Sequence, residues 1–299
     1  MAIKTVGLLS PGDMGHSVGA VLHDNGLEVL TWLEGRSART RALAAEAGIK
    51  DTRSLEELVR AADALLCILV PSEAVGVARQ VADAIRATGA DLLYVDCNAV
   101  APQTARTIGD VITAAGGRYA DAGIIGSPPT KTASPRIYTS GQGANEIAEL
   151  ARYGLDIRVL GGDVAQASGL KMCYAAMTKG LQALGVELLV AAHAMSLEAE
   201  LKAEQTGSLA GVIGFLQGSV PRMPPKAYRW VGEMEEIAAT FQHLGMTPKI
   251  LQGAADMYRF VAETPIGKES PETRDRGRDL DGVVAALAEA LGERVGAGS

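Results

Sequence analysis

Apolar residues in the first half of the chain gather in short runs, at positions 3–9, 28–33, 64–70 and 92–96, the last two essentially continuous. Runs of this length without alternation are what a parallel strand covered on both faces requires. Between them lie stretches with helical spacing at 17–25, 38–47 and 72–88, and a short strand candidate near residue 49. Strand and helix in alternation predict a doubly wound α/β sheet of the Rossmann type. Further strand candidates at 119–124, 136–139 and 157–160 extend it.

The pattern changes at Gly161-Gly162. Residues 164–196 contain no proline and consist mainly of good helix formers, which predicts one helix of roughly 30 residues, about 45 Å long. Helical segments follow at 201–217, 226–244 and 248–263, separated by the proline breaks SVPRMPP and GMTP. A charged, proline-containing stretch at 264–278 leads to a last helix at 280–291, and the terminal GAGS at 296–299 is expected to be irregular. The division implied is an α/β domain at 1–161 and an all-helical domain at 162–299.

A length of 299 residues fits two domains. The net charge of −7 offers no broad basic surface, so nucleic acid is not an expected partner. Cys67, Cys97 and Cys173 are odd in number and sit in apolar surroundings, the pattern of buried free thiols in a reducing cytoplasm. The N-terminal apolar stretch is too short for a signal peptide, and no later stretch has the roughly 18 uninterrupted apolar residues of a membrane span. The four histidines show no metal spacing.

Chemistry enters at the first turn, Ser10-Pro11-Gly12-Asp13-Met14-Gly15, a G-x-G-x-x-G pattern with serine in the first position. Glycine at 12 lets backbone approach a pyrophosphate, glycine at 15 permits close packing, and the helix that follows presents its N-terminus. Glu34, about 20 residues on, suits the ribose diol of NAD. Arg36, Ser37 and Arg39 directly after it suit a 2′-phosphate, so NADP is favoured and NAD stays open.

Four segments together, GLLSPGDMG, ILVPSEAV, VDCNAVAPQT and GDVAQASGLKMCYAAMTKG, give residues 5–195 a resemblance to the β-hydroxyacid dehydrogenase superfamily. This superfamily includes 3-hydroxyisobutyrate dehydrogenase, tartronate semialdehyde reductase and the NAD-binding domain of 6-phosphogluconate dehydrogenase. The last third resembles the small helical domain of uncharacterised phosphogluconate-dehydrogenase-like proteins, at RWVGEMEEIAATFQHLGMTP. The resemblance implies hydride transfer between a nicotinamide and a hydroxy acid or related alcohol or carbonyl compound, with Lys171 as general acid or base. Val70-Pro71 would border the cofactor, and Asn98, in Asp96-Cys97-Asn98-Ala99, would face substrate and nicotinamide.

Ile125-Gly126-Ser127 stands where many relatives have Ser-Gly-Gly, so a larger or more apolar substrate is expected, unless Ser127 supplies the hydroxyl in a shifted register. Helical spacing gives Lys171, Tyr174 and Thr178 one shared face. Tyr174 would assume part of the role of an asparagine replaced by Ala175. Tyr174 and Thr178 also stand where the phosphogluconate branch has histidine and glutamate, which argues against decarboxylation of 6-phosphogluconate. Arg222, Tyr228, Arg229 and Trp230 are further substrate candidates, and relatives imply a homodimer through the helical domain. Two alternatives stand beside this reading: imine reduction, and a catalytically silent NAD(P)-binding regulator. Lys171 would be an ordinary snorkelling lysine if the resemblance failed.

Overall fold

The computed structural model describes residues 3–130, 133–270 and 272–297. Its core is an eight-stranded sheet: β1 (Thr5–Leu9), β2 (Glu28–Thr31), β3 (Lys50–Asp51), β4 (Ala64–Cys67), β5 (Leu93–Asp96), β6 (Arg118–Ile125), β7 (Arg136–Ser140) and β8 (Asp156–Gly161). The strand order is 3-2-1-4-5-6-7-8, so the order in which strands are added reverses between the parallel neighbours β1 and β4. All neighbouring strands are parallel except β6 and β7. A doubly wound sheet binds ligands at the carboxyl ends of its strands where the order reverses.

The helices of this part are α1 (Asp13–Asp24), α2 (Ala38–Glu46), α3 (Leu55–Ala61), α4 (Pro71–Thr88), α5 (Pro102–Thr113) and α6 (Ala144–Ile147). One face of the sheet packs on α1, α2 and the α6 region through Val18, Leu22, Ala44 and Ile147. The other packs on α3, α4 and α5 through Leu58, Val81, Ile85 and Ile108.

Three boundaries differ from the sequence pattern, each for a local reason. α1 begins at Asp13 rather than near Ser17, because the glycine turn itself forms the first helical turn. β2 stops at Thr31, two residues early, where the Leu33 N–H leaves the ladder to donate to Asp51 at 2.8 Å. β4 stops at Cys67 rather than Val70, because Val70 is the N-cap of α4 and Pro71 its first residue, a position where a missing N–H costs nothing. The pattern overlooked α3 and α5. α3 carries a side-chain cap, with the Ser54 hydroxyl accepting from the Glu57 N–H at 3.2 Å, and α5 opens on Pro102.

The long helix is α7 (Gln166–Ala194), 29 residues and unbroken, as the absence of proline predicted. The chain separates into two compact units, Met1–Cys173 and Tyr174–Ser299, the division falling within α7. The second unit adds α8 (Glu198–Ser208), α9 (Ala210–Ser219), α10 (Ala227–His243), α11 (Lys249–Glu263) and α12 (Leu280–Ala297).

A single helix over 201–217 was expected, but the backbone leaves helical geometry at Leu209 (φ −128°), between Gly207 and Gly211. Glycine is among the weakest helix formers, which favours a break at this point. SVPRMPP forms two short 3₁₀ turns, and the charged 264–278 stretch is anchored by a bidentate Arg278–Glu269 pair at 2.8 and 3.0 Å. Of the expected irregular tail, 296 and 297 close α12, while 298 and 299 lie outside the described residues.

By length and composition α7 could cross a membrane, a property the count of uninterrupted apolar residues did not anticipate. It carries Ser168, Lys171, Lys179 and Gln182, and its first turn is bonded to the sheet.

Candidate cofactor and catalytic site

The turn after β1 is fixed by backbone bonds, with Ser10 N donating to Ile68 O at 3.2 Å and Gly12 N to Ser10 O at 2.8 Å. A Cβ on Gly15 would stand 2.2 Å from Ser10 O, so only glycine lets α1 begin this close to the strand. Around Gly12 the opposite holds: a Cβ there would meet nothing within 4 Å, and no side chain caps α1. An open backbone face beside an uncapped helix N-terminus fits a pyrophosphate, so the residues present suit a dinucleotide.

The expected ribose segment is exposed at Glu34 and half-buried at Arg36. Arg41, not foreseen from sequence, shapes it: its Nη2 donates to Leu33 O at 2.5 Å and its Nε to Arg36 O at 3.3 Å. Ser37 caps α2, accepting from Thr40 N at 3.2 Å. Arg39 forms an ion pair with Asp13 of the glycine turn at 2.6 Å, joining two residues expected to act separately on the cofactor. Arg36 lies near enough to Cys67 to oppose, weakly, the burial that pushes this thiol up to about 12.

Strand register places Cys67, Asp96, Asp121 and Ser140 in one row across β4, β5, β6 and β7. Asp96 is buried, with Oδ1 accepting from Asn98 N at 3.1 Å and Asn98 Nδ2 at 2.6 Å. Burial pushes its carboxyl up to about 7, with Asp121 adding to the rise and the Asn98 bonds and the Lys171 charge opposing it. Asn98 itself is 1% exposed. Its Oδ1 accepts from Leu69 N at 2.6 Å, and Nδ2 also approaches Cys67 Sγ at 3.5 Å. The expectation of a substrate-facing amide is therefore corrected: Asn98 is a clasp between the turns that follow β4 and β5.

Lys171 lies in the second turn of α7, in the first unit. A Cβ on Gly123 of β6 would stand 3.2 Å from Lys171 Cβ, so the lysine stem rests directly on the strand. Its charge reaches both Asp96 and Cys97. Asp121 holds the helix start, accepting from Ser168 N at 2.9 Å, Ser168 Oγ at 2.5 Å and Ser140 Oγ at 2.9 Å. Sequence reasoning passed over Asp121 and Ser168; an acid inside an apolar strand run and a serine in the first turn of a helix were the available signals.

Other expected residues are less concentrated. Val70 is exposed and Pro71 half-buried. Ile125 is buried at the end of β6, so it does not present bulk to a substrate as expected; Gly126 (φ +133°) and Ser127 after it are exposed. Tyr174 is 48% exposed, and Thr178 Oγ1 donates back to Tyr174 O at 3.2 Å. Cys173 is exposed, unlike Cys67 and Cys97, which corrects the expectation of three buried thiols.

In the second unit, Trp230 receives Lys179 Nζ over its ring, 4.9 Å from the centroid, and meets Tyr258 edge-on at 5.3 Å. Lys179 is also paired with Glu233, and Tyr258 OH donates to Lys179 O at 2.6 Å. Both ring contacts are internal to the unit, so Trp230 is committed to packing there. Arg229 beside it is half-buried, and Tyr228 and Arg222 are exposed. Among the described residues, no group of three or more His, Cys, Asp or Glu side chains could hold a metal ion.

Comparison with known proteins adds to this geometry. Residues 5–152 match the NAD-binding domain of 6-phosphogluconate dehydrogenase, and residues 192–261 a domain of unknown function, DUF1932. An uncharacterised 28.5 kDa protein of Methanothermus fervidus is 30% identical over 196 residues, covering 66% of this chain and 74% of that protein. The solved structure of conserved protein MTH1747, described as similar to 3-hydroxyacid dehydrogenases, is also 30% identical, with a TM-score of 0.64 over 88% of this chain and 99% of that one.

The chain belongs to the β-hydroxyacid dehydrogenase superfamily. Within this superfamily, the structure of Mycobacterium tuberculosis 3-hydroxyisobutyrate dehydrogenase with L-serine shares the fold, at 19% identity and a TM-score of 0.69 over 97% of this chain and 99% of that one. The superfamily assignment and the NAD-binding domain make the chain an NAD(P)-dependent oxidoreductase.

Proposed function

We propose that this oxidoreductase interconverts a small hydroxy acid or related alcohol with its carbonyl form, with Lys171 as the general acid and base. The observation that carries the reading is the seat of Lys171, its stem against Gly123 and its charge within reach of Asp96 at the carboxyl end of β5. Bound nicotinamide supplies the hydride acceptor or donor. In the oxidative direction the Lys171 amine takes the hydroxyl proton as the carbonyl forms; in reverse the ammonium returns it. The turn at Ser10 to Gly15 holds the pyrophosphate on its open Gly12 face. Arg36 and Ser37, at the start of α2, favour NADP by offering donors to a 2′-phosphate.

The reading includes a homodimer in the cytoplasm. Its support is a seam on α7: Tyr174, Met177, Leu181, Leu184, Leu188 and Ala191 recur at alternating three- and four-residue steps, and four of the six are exposed. A second copy of the chain presents the same seam and would cover it. Light scattering that finds a monomer at micromolar concentration would reject this part.

Hydride transfer is tested by following NAD(P)H absorbance over a panel of 3-hydroxy acids and cyclic imines, with Lys171→Met beside wild type. The expected result is turnover of a hydroxy acid that falls about 10²–10⁴-fold in the variant while the cofactor dissociation constant holds. Turnover of the variant near wild type removes the lysine from the chemistry. Faster turnover of imines moves the reading to imine reduction, and tight cofactor binding without turnover moves it to a regulator.

A further inference from the structure

We propose that Asp121 is a positioning residue for Lys171: its buried carboxyl clamps the first turn of α7 to the sheet and thereby fixes where the lysine stem emerges. The inference rests on the proposed role of Lys171 and adds a residue that the sequence pattern left without a role.

Asp121 lies in β6 with Asp96 opposite on β5 and Ser140 opposite on β7. Two acids side by side within buried sheet are costly, and a strand reading Arg-Tyr-Ala-Asp-Ala-Gly-Ile-Ile would close its core equally well with an apolar residue at 121. What offsets the cost is the start of α7. The first amides of a helix have no partner within it. Here Ser168 N donates to Asp121 Oδ2, Ser168 Oγ donates to Asp121 Oδ1, and Ala167 N donates at 3.0 Å to Ser140 Oγ, itself bonded to Asp121. One carboxyl thus ties two consecutive amides and two hydroxyls into a single cap.

Gly123, two residues along the same face of β6, completes the seat. A Cβ there would stand 2.7 Å from Ala167 O and 3.2 Å from Lys171 Cβ, so the helix descends onto bare backbone beside the clamp. Lys171 follows Ser168 by three residues, less than one helical turn, so movement of the capped turn passes directly to the lysine. A misplacement of about 1 Å at a reacting group can cost about 10²-fold in rate.

The test compares Asp121→Ala and Asp121→Asn with wild type. Acetic anhydride labels the lysines of the native protein, and peptide mass spectrometry reads Lys171 against exposed Lys50 and Lys202. NADPH binding and kcat per cofactor-binding site are measured in parallel. In Asp121→Ala, Lys171 should label at least about fivefold faster relative to the two controls, with the NADPH dissociation constant within about threefold and kcat per site about 10²-fold lower. Asp121→Asn, which keeps an acceptor for Ser168 N, should fall between. A lower Tm with unchanged relative labelling and unchanged kcat per site would reduce Asp121 to an ordinary helix cap and overturn the proposal.

If Asp121→Ala does not fold, Ser140→Ala and Ser168→Ala each remove part of the clamp and are read by the same labelling. The labelling outcome does not depend on turnover. Should Lys171→Met prove as active as wild type, the catalytic reading fails while the clamp is judged on its own result.

Discussion

Asp96→Asn isolates the electrostatics of the site in a single measurement. In the native protein one oxygen of Asp96 accepts from Asn98, and the other has no hydrogen-bond partner among the described residues. Burial, with the neighbouring Asp121, raises the carboxyl from 3.8 to about 7. Above about pH 4 the unfolded chain releases a proton that the native state retains until about pH 7. The group's contribution to stability is therefore complete below about pH 4, is lost as pH rises through about 7, and changes little beyond.

About three tenfold steps at about 1.4 kcal/mol each make this about 4 kcal/mol. Asparagine is neutral throughout and preserves the acceptor for Asn98, so the difference between wild type and variant cancels the titrating groups that do not interact with Asp96 and leaves Asp96 with its coupled neighbours Asp121 and Lys171. Urea unfolding from pH 4 to pH 8 gives that difference directly. Wild type should lose about 4 kcal/mol relative to Asp96→Asn across the range. Parallel stability curves would refute the reasoning, because they would mean that the carboxyl is ionised in the native state as readily as in the unfolded chain.

The same titration tests the contact with Lys171: the lysine charge opposes the rise at Asp96, so Lys171→Met should move the pH window of stability loss upward, and an unmoved window would separate the two groups. Gly15→Ala forces a methyl against Ser10 O, and should cost about 2 kcal/mol or more in urea unfolding and abolish NADPH binding measured by fluorescence. In the second unit, Glu233→Gln leaves Lys179, only 15% exposed, without its anionic partner beneath Trp230; a loss of about 3 kcal/mol is expected, and a change under about 0.5 kcal/mol would show that the pair is solvated.

What could be read from sequence divides along the range of the interactions involved. The strand runs, the glycine turn and the proline-free helix are local patterns, and each formed within a few residues of its expected bounds. α3 and α5 were overlooked although local signals existed, the Ser54 cap with Glu57 and the proline at 102.

The site depends on partners distant in sequence. Asn98 reads as a free amide until Leu69, in the turn after β4, and Cys67, at the end of that strand, engage its oxygen and nitrogen. Trp230 reads as a substrate aromatic until a lysine from a helix some fifty residues earlier occupies its face. Asp121 is the sharpest case. Within its strand it looks like an interruption, and its role emerges only when Ser168 returns to it across 47 residues. The physical signal was nonetheless present: a buried strand tolerates an acid when several donors converge on it, so an acid within an apolar run points to a helix start or a cation elsewhere in the chain. At Asp96 and Asp121 both answers apply, with Lys171 as the cation and the first turn of α7 as the helix start, and the two acids lie side by side because one helix supplies both.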